Sequence, residues 1–224
     1  MSSVTSTRWV TFDCYGTLVD WQAGFAATLS RFAGDRVRDV VRRYHACERR
    51  VEHEQPHKPY KDVLVTAVVR AAAESGVSLS DTDAQALPAA WGSMRLFDDV
   101  EGLLAELRRK GFRLAVLTNC DDDLFEATHR TFRTPFDLFL TAERVRGYKP
   151  APWHFRAFEL ITGARRSDWV HVACSWYHDI APAQALGIRR VWLDRERTGE
   201  DEASASFHVH TAAEAAQAIG ALFD

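Results

Sequence analysis

The stretch WVTFDCYGTLVD, residues 9–20, decides the fold. Its first four residues, Trp9–Phe12, are apolar or β-branched, which predicts a buried strand. The carboxylate of Asp13 follows that strand directly, and Gly16 predicts a tight turn. Because ligands of open parallel sheets bind outside the carboxyl ends of the strands, Asp13 lies where a functional residue is expected.

Four further short apolar runs predict strands, and helical patterns alternate with them. Such alternation forms right-handed βαβ units, so we predict an α/β fold: a doubly wound parallel sheet in a Rossmann-like core. The predicted strands are 114–117, 138–140, 170–173 and 191–193. The predicted helices are 100–110, 152–160, 181–186 and 212–223.

The segment 21–95 interrupts this alternation. It shows helical periodicity, as at Val40 and Tyr44, and no strand pattern. We therefore predict two units. Residues 1–20 and 96–224 form the core, and residues 21–95 form an inserted helical cap over the carboxyl ends of the strands.

Chemically active side chains follow four of the predicted strands. Asp13 follows the first, Thr118 and Asn119 end the second, Lys149 lies in a proline-rich turn after the third, and Asp179 lies after the fourth. Each residue alone has an ordinary structural explanation, such as a solvated lysine before a turn. Four such positions at one sheet edge predict an active site.

These motifs resemble the haloacid dehalogenase superfamily of hydrolases. The order DCYGTLVD (13–20), LTN (117–119), YKPAP (148–152) and a fourth segment with Asp179 covers essentially the whole core. The inserted helices are similar to the cap of that superfamily. DCYGTLVDW, YKDVL and SWYHDIAPAQALGI resemble the type II 2-haloacid dehalogenases most, in a branch that includes a hydrolase opening the ring of azetidine-2-carboxylate.

The resemblance implies four catalytic residues. Asp13 would attack an electrophilic carbon and form an ester that water later cleaves. Lys149 would keep Asp13 ionised and oriented, and Thr17 would hydrogen-bond the nucleophile or an adjacent amide. Asp179 would balance Lys149 and position water.

Seven residues are expected to contact the substrate. Thr118 and Asn119 would hold carboxylate or phosphate oxygens. Trp21 would form an aromatic wall against the substrate or a cationic ring nitrogen, or would instead pack the cap against the core. The resemblance implies an arginine of the cap that receives the departing halide. We place this arginine at Arg43, although another register of the same helix puts Tyr44 and Glu48 at this position. The seven residues are Tyr15, Trp21, Tyr60, Thr118, Asn119, Ser175 and Arg43.

Three activities remain open at this point. The leading hypothesis is displacement of a halide or similar group from the α-carbon of a small 2-substituted carboxylic acid, without a cofactor. A Mg²⁺-dependent phosphatase is the alternative, with Asp13, Tyr15 and Asp179 at the metal, but such enzymes carry an acid where this chain has Tyr15. The third hypothesis is a non-catalytic member that binds a metabolite or a partner through its cap.

Composition indicates an ordinary globular protein. The 224 residues are 46% hydrophobic and 26% charged, with a net charge of -3, so no global field favours nucleic acid or an anionic membrane. No apolar run is long enough to cross a bilayer. We expect a cytoplasmic protein with reduced cysteines and a small-molecule substrate, and a homodimer remains open.

Overall fold

Six parallel strands form one sheet in the computed structural model, which describes residues 7–54 and 56–223. Their order across the sheet is β3-β2-β1-β4-β5-β6. Because the chain adds β2 and β3 on one side of β1 and then crosses to add β4, β5 and β6 on the other side, the topological switch point lies beside β1. The strands are β1 Trp9–Phe12, β2 Arg113–Thr118, β3 Leu138–Thr141, β4 Trp169–Ala173, β5 Arg189–Leu193 and β6 Phe207–Val209.

Helices cover both the sheet and its carboxyl edge. The segment between β1 and β2 begins with five helices: α1 Trp21–Ala33, α2 Val37–Glu52, α3 Tyr60–Glu74, α4 Asp81–Ala84 and α5 Ala86–Ala90. The remaining helices are α6 Val100–Arg109, α7 Asp122–His129, α8 Ala142–Val145, α9 Trp153–Thr162, α10 Ala181–Ala185 and α11 Ala212–Ala221. A π-helical turn, Trp176–Ile180, precedes α10, and short 3₁₀ turns lie at Gly34–Arg36, Trp91–Ser93, Arg166–Asp168 and Glu202–Ser204.

The α/β prediction is confirmed by the sheet. Every residue of β1 and β4 is buried, as expected for parallel strands covered on both faces. The five predicted strands are present within a residue or two of their predicted bounds. β6 was not predicted, because its three residues are exposed or half-buried and form no continuous apolar run.

Two of the inserted helices, α1 and α3, are capped by aspartate side chains from outside the helix. Asp20 accepts a hydrogen bond from the backbone N–H of Ala23 and so caps α1. Asp121, beyond β2, accepts hydrogen bonds from the backbone N–H groups of Tyr60 and Lys61 at 2.8 and 2.9 Å and so caps α3. Asp121 is also the N-cap residue of α7, but its side chain makes no hydrogen bond to that helix and caps α3 instead.

The apolar core runs from the sheet into the insertion without a break. Val10 and Phe12 of β1 belong to the same buried cluster as Tyr44 of α2 and Leu64 of α3. The division into a core of 1–20 and 96–224 and a cap of 21–95 stays a prediction. Residues 1–6, Gln55 and Asp224 of that division lie outside the described residues.

The four cysteines are buried free thiols, as predicted. Within residues 7–54 and 56–223, no helix combines the length and the apolar character that a bilayer crossing requires.

Candidate active site

Lys149 lies between two carboxylates at the carboxyl ends of the central strands. Its Nζ donates to Oδ1 of Asp13 at 2.9 Å, to Oδ1 of Asp179 at 2.6 Å and to the carbonyl oxygen of Leu117 at 2.9 Å. Burial by itself lowers the pKa of Lys149, but the charges of Asp13 and Asp179 outweigh it and raise that pKa above its ordinary value. The ammonium is therefore charged and fully hydrogen-bonded.

The second oxygen of Asp13 is held by the turn that follows β1. Thr17 Oγ1 donates to Asp13 Oδ2 at 2.8 Å and accepts from the backbone N–H of Cys174 at 2.8 Å. Gly16 makes this turn with a φ of 92°, where a side chain would be strained. Both carboxylate oxygens of Asp13 are thus oriented before any substrate binds.

A chain of buried hydrogen bonds supports Asp179 from behind. Trp169 Nε1 donates to Thr11 Oγ1 at 2.8 Å, Thr11 Oγ1 lies 2.9 Å from His171 Nδ1, and His171 Nε2 lies 2.9 Å from Asp179 Oδ1. If the Thr11 hydroxyl donates to Nδ1, neutral His171 donates its Nε2–H to Asp179. Burial raises the pKa of Asp179, but Lys149 and His171 lower it further, so the net shift is downward.

A cavity of about 130 Å³ opens between this carboxylate group and the inserted helices. Its floor includes Asp13, Thr118 and Lys149, and its aromatic walls come from both the core and the insertion. Its size suits a small molecule and excludes a polymer. The aromatic residues that line it are Tyr15, Trp21, Phe25, Tyr44, Tyr60, Trp91, Trp176 and Tyr177.

Two buried glutamates of α2 face this cavity from the insertion. Glu48 Oε1 accepts from the hydroxyl groups of Tyr44 at 3.0 Å and Tyr60 at 2.6 Å, and Oε2 lies 3.0 Å from His45 Nδ1. Glu52 Oε1 accepts from Asn119 Nδ2 at 3.1 Å. Burial raises the pKa of Glu48, but the bond to His45 and nearby charges leave it below its ordinary value.

Glu52 and His178 form an ion pair between the insertion and the core. His178 Nε2 lies 3.4 Å from Glu52 Oε2, close enough for attraction but without the alignment of a hydrogen bond. Burial lowers the pKa of His178, yet Glu52 raises it above its ordinary value. Burial also raises the pKa of Glu52, and His178 offsets this only in part. The pair therefore holds a proton more tightly than either free side chain.

Four buried polar atoms of cavity-lining residues have no hydrogen-bond partner among the described residues. Two are donors or can become donors, Trp176 Nε1 and His178 Nε2. Two are acceptors, Glu52 Oε2 and Asp179 Oδ2. Because unpaired buried polar groups are costly, such atoms around a cavity indicate a polar ligand that completes them.

Comparison with known sequences agrees with this arrangement. Residues 7–187 match the family described as haloacid dehalogenase-like hydrolases. The chain belongs to that family. Haloacetate dehalogenase H-2 of Moraxella sp. (strain B) is 22% identical over 201 residues, which cover 86% of this hydrolase and 88% of that protein. Phosphoserine phosphatase of Thermus thermophilus is 34% identical over 117 residues, but these cover only 51% of this chain and 47% of that one.

Solved structures agree with the fold of this hydrolase over nearly its full length. A crystal structure of an L-2-haloacid dehalogenase superposes with a TM-score of 0.86 at 22% identity, covering 96% of this chain and 100% of that one. L-2-haloacid dehalogenase from Xanthobacter autotrophicus, with chloropropionic acid covalently bound, has a TM-score of 0.80 at 18% identity and covers 96% and 98%. At such identities the likeness shows the shared fold.

Most of the site residues predicted for this hydrolase come together at one cavity. Asp13, Lys149 and Asp179 line it, and Thr17 contacts Asp13 from behind. Six of the seven expected substrate contacts line it as well. They are Tyr15, Trp21, Tyr60, Thr118, Asn119 and Ser175.

Among the six, Asn119 and Ser175 use their polar side-chain atoms to hold neighbouring residues of the site. Asn119 Oδ1 accepts from the backbone N–H of Lys149, and Nδ2 donates to the carbonyl of Lys149 and to Glu52. Ser175 Oγ accepts from the backbone N–H of His178 and lies 3.1 Å from its Nδ1. Both residues orient their neighbours, and their contact with substrate stays a proposal.

The placement of Arg43 is a correction. Arg43 is exposed on α2 and does not line the cavity. The helical period of α2 instead turns Tyr44 and Glu48 inward, which is the other register that the sequence left open. The position expected to carry a cation therefore carries a buried carboxylate.

Sequence patterns also missed residues whose role depends on tertiary contacts. Glu52, His171 and Trp176 were not among the predicted site residues, although each contacts or lines the site. One signal was present for Glu52, since a charged residue on the buried face of a helix needs a partner. His171 also interrupts an otherwise apolar central strand, which indicates a specific hydrogen-bond role.

Asp13, Tyr15 and Asp179, the residues predicted to hold Mg²⁺, do not fit that ion. Asp13 Oδ1 and Asp179 Oδ1 are both occupied by Lys149. Tyr15, at the position of the phosphatase acid, uses its hydroxyl elsewhere: Trp91 Nε1 donates to it at 2.6 Å and Thr128 Oγ1 lies at 2.9 Å. Cys174 offers no oxygen ligand. Asp13 and Asp179 are tied to the ammonium of Lys149, and neither Tyr15 nor Cys174 adds a free oxygen beside them, so this group does not supply the oxygen ligands that Mg²⁺ requires.

Proposed function

We propose that this hydrolase displaces a leaving group from the α-carbon of a small 2-substituted carboxylic acid through an ester on Asp13. The observation that supports this most is the contact set of Lys149, which ties the carboxylates of Asp13 and Asp179 together below the cavity. Such a set orients a nucleophile and keeps it anionic without a metal. Two related proteins are named as dehalogenases, a haloacetate dehalogenase and an (S)-2-haloacid dehalogenase, which agrees with this proposal.

In the first step, a carboxylate oxygen of Asp13 attacks the α-carbon. A carbon–oxygen bond forms, the carbon–halogen bond breaks, and the halide departs with the bonding electron pair. No proton is needed, because halide is a stable anion. This agrees with Tyr15, whose pKa burial raises well above its ordinary value and whose hydroxyl is engaged with Trp91 and Thr128.

In the second step, water attacks the carbonyl carbon of the Asp13 ester. The ester carbon–oxygen bond to the carboxylate carbon breaks, which releases the 2-hydroxy acid and restores the Asp13 carboxylate. Asp179 Oδ2, buried and without a hydrogen-bond partner among the described residues, would orient that water, accept one of its protons and pass a proton to the departing alkoxide oxygen, while the other proton of the water is released to solvent. Lys149 stabilises the developing oxyanion and the restored carboxylate.

Donors on the core wall would hold the carboxylate of the substrate. Trp176 Nε1 and His178 Nε2 are buried donors or potential donors in cavity-lining residues and lack a hydrogen-bond partner in the described part of the chain, although His178 Nε2 lies 3.4 Å from Glu52 Oε2. A carboxylate would complete both bonds. Trp21 and Tyr60 would enclose the apolar part of the same molecule.

Halide release from a panel of 2-haloacids tests this proposal. The wild-type protein should release chloride from one enantiomer of 2-chloropropionate and yield lactate of inverted configuration, because displacement at carbon inverts it. Asp13→Asn should lose at least about 10³-fold in kcat, as expected for removal of a covalent nucleophile. Asp123→Asn, an exposed aspartate on α7, serves as the matched control and should retain full activity. Metal-dependent hydrolysis of phosphate monoesters without halide release would overturn the proposal.

The acidic lining of the cavity favours a second candidate with a nitrogen leaving group. Six acidic residues line the cavity, whereas its permanently charged basic residues are Arg49 and Lys149. The second oxygen of Glu52 lacks a hydrogen-bond partner in the described chain and can receive an ammonium hydrogen. The six acids are Asp13, Glu48, Glu52, Asp179, Glu196 and Glu200.

A strained cyclic α-imino acid would use the same nucleophile. Asp13 would attack the α-carbon, and the ring carbon–nitrogen bond would break with its electron pair retained by the protonated nitrogen, which becomes an amine. Glu52→Gln should then lower kcat/KM for azetidine-2-carboxylate at least about tenfold, the effect of removing a charged partner. The same change should leave the turnover of 2-chloropropionate unchanged or raise it. Equal losses on both substrates would exclude a specific role of Glu52 for the ammonium.

The proposal extends to the location, cofactor and partners of the enzyme. We propose a cytoplasmic enzyme that acts on a small molecule without a cofactor and has no nucleic-acid or membrane partner. The small cavity supports a small-molecule substrate, and the net charge of -3 disfavours a nucleic-acid or anionic-membrane partner. A homodimer stays open, and sedimentation of the purified chain would decide it.

A further inference from the structure

A second group of metal-ligating side chains lies at the far edge of the sheet. Asp194 follows β5, and His208 and His210 lie in and directly after the neighbouring strand β6. One nitrogen of each imidazole and one carboxylate oxygen of Asp194 lie within 4.8 Å of one another. None of the three residues lines the catalytic cavity. We propose that Asp194, His208 and His210 bind a divalent transition-metal cation such as Zn²⁺.

Strand geometry brings the two histidines together. Residues two apart on a strand project to the same face, so the sequence His-Val-His places both rings on one side. Their ring centroids are 4.8 Å apart. His208 also stacks on Trp192 of β5 with centroids 4.3 Å apart, which fixes the plane of its ring.

A contact to one nitrogen of each imidazole orients the ring and leaves its second nitrogen for the metal. His210 Nδ1 donates to the carbonyl oxygen of Asp194 at 3.0 Å, and His208 Nδ1 lies 3.4 Å from Glu202 Oε1. Metal-binding histidines usually donate their second ring nitrogen to a carbonyl or a carboxylate in this way. In this structure His208 Nε2 donates to Asp194 Oδ2, so metal binding requires that Nε2 give up this hydrogen; the Nε2 lone pairs of both rings then coordinate the ion.

The spacing of the inner atoms suits a metal. His208 Nε2 and Asp194 Oδ2 are 3.2 Å apart. Ligand atoms on a tetrahedral Zn²⁺ with bonds of about 2.0 Å are separated by about 3.3 Å. Asp194 is only 1% exposed, and both its oxygens also accept from the backbone N–H of Thr198, so its carboxylate is fixed. The full 4.8 Å span requires His210, which is half-buried, to move inward on binding.

Two imidazoles and one carboxylate leave the fourth position of a tetrahedral ion open for water. This ligand set favours Zn²⁺ or Co²⁺ over Mg²⁺ or Ca²⁺, which prefer oxygen ligands. The ion would join β5 to β6 and hold the loop after Asp194. That loop contributes Glu196, Thr198 and Glu200 to the catalytic cavity. A metal here therefore stabilises one wall of the active site without contacting substrate.

Co²⁺ titration of the untagged, chelator-treated chain tests the site. We expect one Co²⁺ per chain with the visible bands of a tetrahedral ion, displacement by Zn²⁺, and a rise in Tm of about 5–10 °C at a hundredfold excess of Zn²⁺ over its Kd. His210→Ala and His208→Gln should each weaken binding at least tenfold. His53→Ala, which removes an exposed imidazole, and Asp13→Asn should bind as the wild type does.

Three results would overturn the site. The first is no saturable binding by a folded chain. The second is unchanged binding in both His210→Ala and His208→Gln, each with circular dichroism equal to that of the wild type. The third is a strong near-ultraviolet thiolate band, or loss of binding in Asp13→Asn, because these would place the ion at a cysteine or in the catalytic cavity.

Discussion

At the residue scale, the proposed active site depends on Lys149. This ammonium satisfies one oxygen of Asp13 and one of Asp179, and all three side chains are almost completely withdrawn from water. Substitution of one member leaves the others as buried, uncompensated charges. The function and the stability of the chain therefore share the same three side chains.

Lys149→Met should inactivate the enzyme and destabilise it. We expect a loss of about 3–5 kcal/mol in the free energy of unfolding, the cost of breaking a buried ion pair. Urea denaturation and halide release measure the two effects. Lys61→Met removes an exposed ion pair with Asp123 and should change stability by no more than about 1 kcal/mol. Equal stabilities of the two variants would contradict the buried network.

Thr17 separates orientation of the nucleophile from its charge. Thr17→Val keeps the shape of the side chain but leaves the Cys174 N–H and Asp13 Oδ2 without their partner. We expect a loss of about 1–3 kcal/mol in stability and a lower kcat with little change in KM. Thr17→Ser restores the hydroxyl and should recover most of the activity. If Thr17→Val matched Thr17→Ser in kcat, the bond to Asp13 would have no catalytic role.

At the element scale, Asp121 joins the loop after β2 to the first turn of α3. Its two oxygens accept from two backbone N–H groups at the start of that helix. Asp121→Ala should lower the free energy of unfolding by about 1–2 kcal/mol, as for a lost helix cap. Hydrogen exchange should show the loss concentrated at Tyr60 and Lys61. Uniform exchange across the whole chain would argue against a local cap.

The strands and the residues at their ends could be predicted from the sequence, whereas the residues of the insertion that face the substrate could not. β1 and β4 are short buried runs, and the parallel sheet alone determines that the residues after them share one edge. The register of α2 against the core depends on packing between distant segments. The sequence therefore could not decide between Arg43 and Tyr44 with Glu48. The Asp121 cap of α3 was missed for the same reason, since its partners are sixty residues away.

At the scale of the whole molecule, the ion pair of Glu52 and His178 links the insertion to the core and makes their association depend on pH. The pKa of His178 is raised in the folded chain. Its stabilising contribution is complete below the unfolded pKa of about 6.5 and is lost as pH rises through the higher folded value.

The free energy of unfolding of wild type relative to His178→Gln should therefore be larger at pH 6 than at pH 9. Urea midpoints at a series of pH values measure this difference. His129→Gln provides a control, because burial lowers the pKa of His129 and its dependence on pH has the opposite sign. A difference for His178 that grew with pH would contradict the pair.

The covalent ester on Asp13 is the central claim, and a single turnover in H₂¹⁸O tests it most directly. With enzyme in excess over 2-chloropropionate, water attacks the carboxylate carbon of the ester, so ¹⁸O should appear in the side chain of Asp13 and the released lactate should stay unlabelled. Mass spectrometry of the peptide that contains residue 13 reads the label. Label in the lactate with none at Asp13 would show that water attacks the substrate directly and would contradict the account.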